Sequence, residues 1–222
     1  MLFEGSKAWA ESAHKEVIAL GKQFGGLVGG AENGMRGYLL TFLIAYSRDL
    51  ALQHHTLGES FELSCPWSEV SAIQKRVKQR IFDEAARQGF SKERTWASFR
   101  VTQIYETGAA IYAYFSLNHL GMEREGLVEK YEAVEDAARD EVMLAGGSIS
   151  HHHGVGKIRK KFYERMQTPN VMEWQHALKA QIDPNNVFAI NNTIARSEKE
   201  RADIEKDCIE KFGRLPSSNR QS

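Results

Sequence analysis

Apolar residues recur at helical spacing at Ala10, Ala13, Val17, Leu20 and Phe24, which predicts a first helix over about 6–24. Ahead of it, Leu2 and Phe3 read as the end of a strand whose beginning is missing, followed by a turn at Gly5. Gly25, Gly26, Gly29 and Gly30 surround Leu27 and Val28 and predict a flexible connector, since neither GxGxxG nor GxxxxGK[ST] is present. Over 36–52 the chain is strongly apolar, with Leu39, Leu40, Phe42, Leu43, Ile44 and Tyr46, and predicts a mostly buried helix. Arg48 stands at its polar end. It either pairs with Asp49 or a neighbouring carboxylate, or clamps an anion through its two-pronged guanidinium.

Alternation over 54–65 predicts a strand, and Pro66 opens an amphipathic helix over 67–88 with Val70, Ile73, Val77, Ile81 and Ala85 on one face. Strands over 96–105 and 109–118 flank the Glu106-Thr107-Gly108 turn and read as a hairpin. The second of them places Tyr112, Tyr114 and Ser116 on one face and Ile111, Ala113 and Phe115 on the other. A charged amphipathic helix over 123–144 ends on Gly146 and Gly147. A basic helix to about 167, a Thr168-Pro169 break, a short helix carrying Met172, Trp174, Leu178 and Ile182, and a turn at 183–186 follow. The stretch over 197–212 is rich in Glu, Lys and Arg and predicts a solvated helix, with disorder from Gly213 onward. This order of elements predicts an α+β fold in which helices cover one face of an antiparallel sheet.

The sharpest chemistry lies between Gly146 and Lys161. His151, His152 and His153 follow one glycine pair and precede Gly154 and Gly156, so three imidazoles able to move protons near neutral pH sit on a tight turn. Lys157, Arg159, Lys160 and Lys161 come next, where a helix is expected to begin and to seat a phosphate or carboxylate. No acidic or cysteine ligand is near in sequence, and consecutive rings on one turn do not readily face one ion, so no metal is expected.

Composition narrows the classes. Lys plus Arg equals Asp plus Glu at 29 each, which removes the electrostatic case for a nucleic-acid partner. At 222 residues and 42% hydrophobic, the chain suits one good-sized globular domain or two small ones. Cys65 and Cys208 are far apart and form no CxxC, so neither a disulfide framework nor a zinc ribbon is indicated, and a reducing compartment fits. No apolar run reaches the ~20 residues that span a bilayer. No secretory signal is visible, and the terminal Arg220-Gln221-Ser222 is not the Ser-Lys-Leu peroxisomal address.

Eight motifs, in order over about 2–194, resemble the alkyldihydroxyacetonephosphate synthase family. They are Leu-Phe-Glu-Gly at 2–5, Asn-Gly-x-Arg-Gly-Tyr-Leu-Leu at 33–40, Arg-Asp-Leu at 48–50 and Leu-Gly-Glu-Ser-Phe-Glu at 57–62. Then come Arg-Val-Thr-Gln-x-Tyr at 100–105, Ile-Tyr-x-Tyr-Phe at 111–115, the glycine-flanked triple-histidine run at 146–157 and Asp-Pro-Asn-Asn-x-Phe at 183–188. The triple-histidine run separates this family from the wider FAD-linked oxidases, which share its layout.

The resemblance implies that 1–194 is the C-terminal cap domain of such an enzyme, with ferredoxin-like elements, lacking the FAD-binding domain, and that 195–222 is a charged tail. It implies FAD as cofactor, used without net redox change. The reaction exchanges the acyl group of acyl-dihydroxyacetone phosphate for a fatty alcohol, in ether-lipid and plasmalogen synthesis. By position, Tyr114 resembles the catalytic acid/base, Arg48 the substrate-contacting arginine near the flavin, and His151, His152 and His153 the essential, flavin-side histidines. Arg100 is a further substrate-binding candidate, and Lys157 and Arg159 are weaker ones. A homodimer, peripheral membrane association and a peroxisomal or glycosomal location are implied for the full enzyme. The chain departs from the family pattern at Asn191, where an arginine is expected, and in the tail. Two other readings remain: the cap of a flavin-dependent 2-hydroxy-acid dehydrogenase, or an inactive binding or oligomerisation fragment.

Overall fold

The structure, a computed structural model, describes residues 3–190, 192–194, 202–203, 206 and 209–210. The tail beyond 194 and the departure at Asn191 therefore fall almost wholly outside the described residues. Contacts divide the chain into two units at His54. The first holds α1 (Lys7–Gln23) and α2 (Ala31–Gln53). Ser6 caps α1 by accepting the Trp9 N–H at 3.3 Å, satisfying one of the donors a helix start leaves unpaired. Phe3 is not in a strand, and Leu2 lies outside the described residues.

No residue of α2 is buried, which corrects the expectation of a mostly enclosed helix. Leu39, Leu40, Phe42, Leu43 and Ile44 are each at least half exposed. A helix with apolar side chains on every side requires an enclosing surface, and the described residues of this unit do not provide one. None of the described helices is long and apolar enough to cross a membrane.

The second unit is built on β1 (Thr56–Pro66), α3 (Val70–Arg87), β2 (Thr95–Ile104), β3 (Gly108–Asn118), α4 (Leu127–Leu144), α5 (Lys160–Met166) and α6 (Pro169–Ile182). The sheet runs β1-β3-β2, antiparallel throughout, with a register shift between Val101 and Gln103. Alternation sends Phe61, Leu63 and Cys65 of β1 and Ile111, Ala113, Phe115 and Leu117 of β3 to one face. There they meet Ile73, Val77, Ile81 and Ala85 of α3 and Val134, Ala138 and Val142 of α4. Each aliphatic side chain fully removed from water contributes about 1.5–3 kcal/mol, so this cluster carries the unit. The other face displays Tyr112 and Tyr114.

Three element boundaries differ from the sequence reading. A 3-10 turn, Trp67–Glu69, precedes α3. Gly126, left-handed at φ +68°, delays α4 to Leu127. Gly154 and Gly156, at φ +73° and +58°, keep the residues after the histidines out of a helix, so α5 is only seven residues long. At the end of α4, Gly146 is left-handed at φ +74° and the Gly147 N–H bonds to the Val142 carbonyl at 2.9 Å, the predicted glycine stop.

Gly108 faces Pro66 across the β1–β3 ladder. A Cβ there would lie 2.2 Å from the Cys65 carbonyl oxygen, a backbone atom that cannot swing aside. Gly108→Ala is expected to destabilise the chain by about 1–3 kcal/mol through forced separation of the two strands. Urea denaturation measures it, and an unchanged midpoint would mean that the hairpin end adjusts freely.

Candidate functional site

The segment after α4 runs antiparallel beside β1. Ser64 and Ser148 exchange backbone hydrogen bonds at 2.8 and 3.3 Å, an isolated bridge on the outer edge of the sheet. That bridge delivers the three histidines to the face opposite α3 and α4, where Tyr112 and Tyr114 stand two residues apart on β3.

Glu62 holds the histidine loop. It is 1% exposed, and its alternation on β1 is opposite to that of Phe61 and Leu63. One carboxylate oxygen, Oε1, accepts the backbone N–H groups of His151 at 2.8 Å, His152, and His153 at 2.6 Å, and the Ser150 hydroxyl at 3.3 Å. The loop expected to bind a foreign anion thus wraps its amides around the chain's own carboxylate. Burial alone would raise the Glu62 pKa, but the three amides and the charge of His153 outweigh it and hold the carboxyl below its ordinary range. The second oxygen, Oε2, is buried and receives no hydrogen bond among the described residues. Its neighbours are Nδ1 of His152, in direct contact, and Nδ1 of His151 at 3.6 Å.

The rings are held in turn by phenols. The Tyr105 hydroxyl meets Nε2 of His151, and the Tyr112 hydroxyl meets Nε2 of His153 at 2.5 Å. Burial, then the charges of Glu62 and Tyr114, pushes the Tyr112 phenol up. Tyr112 stacks on Tyr114 with ring centroids 5.5 Å apart. Nη2 of Arg100 donates to the Tyr114 hydroxyl at 2.7 Å, with its guanidinium 5.5 Å from the ring centre. The imidazoles, the phenols of Tyr112 and Tyr114 and the Arg100 guanidinium therefore share one sheet face.

The remaining candidates fall elsewhere. Arg48 lies on α2 in the first unit, 64% exposed, with Nε 4.0 Å from Asp49. Nη1 of Arg159 donates to the Gly154 carbonyl at 3.2 Å, while burial and then the charge of Arg139 lower its pKa. Lys160 is buried in α5, Lys161 pairs with Asp136, and Lys157 is exposed on a turn.

Sequence reasoning missed Glu62, Tyr105 and Tyr112 as site residues. For Glu62 the signal was present: an acidic residue between two core positions of a strand needs a partner if buried. What sequence could not supply was that the partner lies some ninety residues away. The objection to a metal, that no acidic ligand is near, is also corrected. Ligand atoms of Glu62, His152 and His153 all lie within 4.8 Å of one another.

Residues 2–191 match the family described as FAD linked oxidases, C-terminal domain, and the chain belongs to that family. Within it, the chain is 46% identical over 193 residues to an alkyldihydroxyacetonephosphate synthase of Caenorhabditis elegans, covering 87% of this chain and 32% of that protein. It is 23% identical over 185 residues to one from Trypanosoma brucei brucei, covering 83% of this chain and 29% of that protein. A solved structure of an alkyldihydroxyacetonephosphate synthase superposes with a TM-score of 0.57 at 17% identity, covering 88% of this chain and 30% of that one, which shows the shared fold. The chain thus spans about a third of the length of the relatives it matches.

Proposed function

We propose that this chain is the substrate-holding part, over 1–194, of an alkyldihydroxyacetonephosphate synthase, active together with an FAD-binding domain. The single observation that carries this reading is the joining of Tyr114, Arg100 and the His151–His153 loop on one face of the β1-β3-β2 sheet, in a chain of this family. The residues present suit a flavin. Tyr112 and Tyr114 form a stacked, half-buried aromatic surface beside three imidazoles, against which a planar ring and a charged substrate can both lie. When bound, FAD supplies the electron-accepting ring that makes exchange at the substrate carbon possible without net oxidation.

The chain's own residues handle protons and charge. The Tyr114 hydroxyl removes and returns a proton at the substrate carbon, oriented by the N–H of Arg100. His153, fixed by Tyr112, stands ready to move a second proton to or from the alcohol or the departing fatty acid. Arg100 provides a cation for the substrate phosphate or the leaving carboxylate. In the full enzyme a homodimer, peripheral membrane contact and a peroxisomal or glycosomal address accompany this role.

The test is to join the chain to an FAD-binding domain from a relative and to supply acyl-dihydroxyacetone phosphate with labelled hexadecanol. Labelled 1-alkyl product and released fatty acid are expected, with no oxidation of 2-hydroxy acids. Turnover of a 2-hydroxy acid without alkyl exchange would overturn the proposal in favour of a dehydrogenase.

A further inference from the structure

The carboxylate beneath the histidines carries an inference of its own. A strand carboxylate at 1% exposure is costly unless fully paired, and here one oxygen gathers three consecutive backbone N–H groups and a hydroxyl. Three successive amides converging on one oxygen fix the backbone angles of the turn, and the direction of each Cα–Cβ bond follows from them. The second oxygen lies against Nδ1 of His152, so the same side chain touches both the loop's backbone and one of its rings. Around it, among the described residues, stand the imidazoles of His151 and His153, Tyr112 from β3 and the guanidinium of Arg159.

We propose that Glu62 is the positioning residue of the triple-histidine loop, presenting the His152 and His153 rings to the substrate while touching no substrate itself. This extends the proposed function to a residue outside the loop, and it rests on that reading only for its catalytic consequence. Glu62 is anchored by β1, whose neighbouring side chains Phe61 and Leu63 belong to the core. The loop thereby inherits the rigidity of the sheet instead of the freedom of a glycine-flanked turn. Ser150 and the Ser64–Ser148 bridge complete the attachment.

The test has two independent arms. In the full 222-residue chain, the backbone amide signals of 151–153 and the Glu62 side-chain carboxyl signal are followed by NMR as pH falls. All four are expected to move together, with one midpoint below the ordinary 4.5 of a glutamate. In Glu62→Gln the pH response of the three amides disappears and their hydrogen exchange quickens about tenfold, while distant core amides are unchanged. Amides that titrate apart from Glu62, or that keep wild-type shifts and protection in the variant, would overturn the proposal. If Glu62→Gln does not fold, the wild-type titration decides alone. Zinc is the probe for the competing use of the second oxygen, Oε2. Stoichiometric binding that shifts these amides and is lost in Glu62→Gln would assign the carboxylate to a metal and overturn the positioning role, whereas no saturable binding supports it.

In the flavin-bearing enzyme, Glu62→Gln is expected to lower kcat by about 10²-fold with KM nearly unchanged, the signature of displaced reacting groups with substrate binding retained. A rise in KM at constant kcat would instead place Glu62 in substrate binding. Should the wild-type enzyme show no alkyl exchange at all, the proposed function fails while the NMR arm still judges Glu62.

Discussion

Tyr114→Phe in the flavin-bearing enzyme is expected to lower alkyl exchange by about 10²–10⁴-fold, the usual worth of a positioned proton-transfer group. The change deletes one oxygen. The ring stays, and with it the 5.5 Å stack on Tyr112 and its neighbours in β3, so the fold is expected to keep its denaturation midpoint. What disappears is the acceptor for the Arg100 N–H and the only group of Tyr114 that can exchange a proton. Tyr112→Phe is the informative companion, because the Tyr112 hydroxyl is engaged by His153. Stopped-flow and steady-state assays of both variants separate the two phenols. A Tyr114→Phe enzyme of undiminished rate would remove that hydroxyl from the chemistry, and a larger loss in Tyr112→Phe would transfer the role to its neighbour.

The second large effect belongs to the core. Arg139 on α4 is 1% exposed, ion-paired with Glu135 one turn earlier, and lies with its guanidinium 5.3 Å from the centre of the Phe61 ring. Its Nε and Nη1 find no hydrogen-bond partner among the described residues. Arg139→Ala leaves the buried Glu135 carboxylate without its cation and opens a gap beside Phe61. A loss of about 3–5 kcal/mol is expected from urea denaturation, mostly the penalty of the stranded charge. Replacing both residues by methionine removes that penalty and is expected to recover most of the loss. A single-variant cost below about 1 kcal/mol would show that Arg159, electrostatically coupled to Glu135, takes over the carboxylate.

Sequence pattern alone located the hairpin, α3 and the tyrosine face, because period-2 and period-3.6 signals there coincide with a buried stripe. Ile73, Val77 and Ile81 of α3 are each fully buried. It failed at α2, since apolar content says that a helix wants covering but not by what. It failed again at the carboxylate site. The triple histidine announced itself, yet the residue that shapes it lies in β1, and a contact between 62 and 151–153 leaves no local periodicity. Tyr114 was placed on the correct face by alternation, while its hydrogen bond to Arg100 required the β2–β3 register, with Arg100 opposite Tyr112.

The position of Glu62 between Phe61 and Leu63 also bears on how this chain can change through evolution. Inserting or deleting one residue in β1 would turn the acid toward α3 and α4 and an aliphatic side chain toward the histidines. Two unrelated demands thus share a single reading frame along the strand. Viable relatives should accept length changes readily in the segment between β3 and α4, and almost never between Thr56 and Cys65.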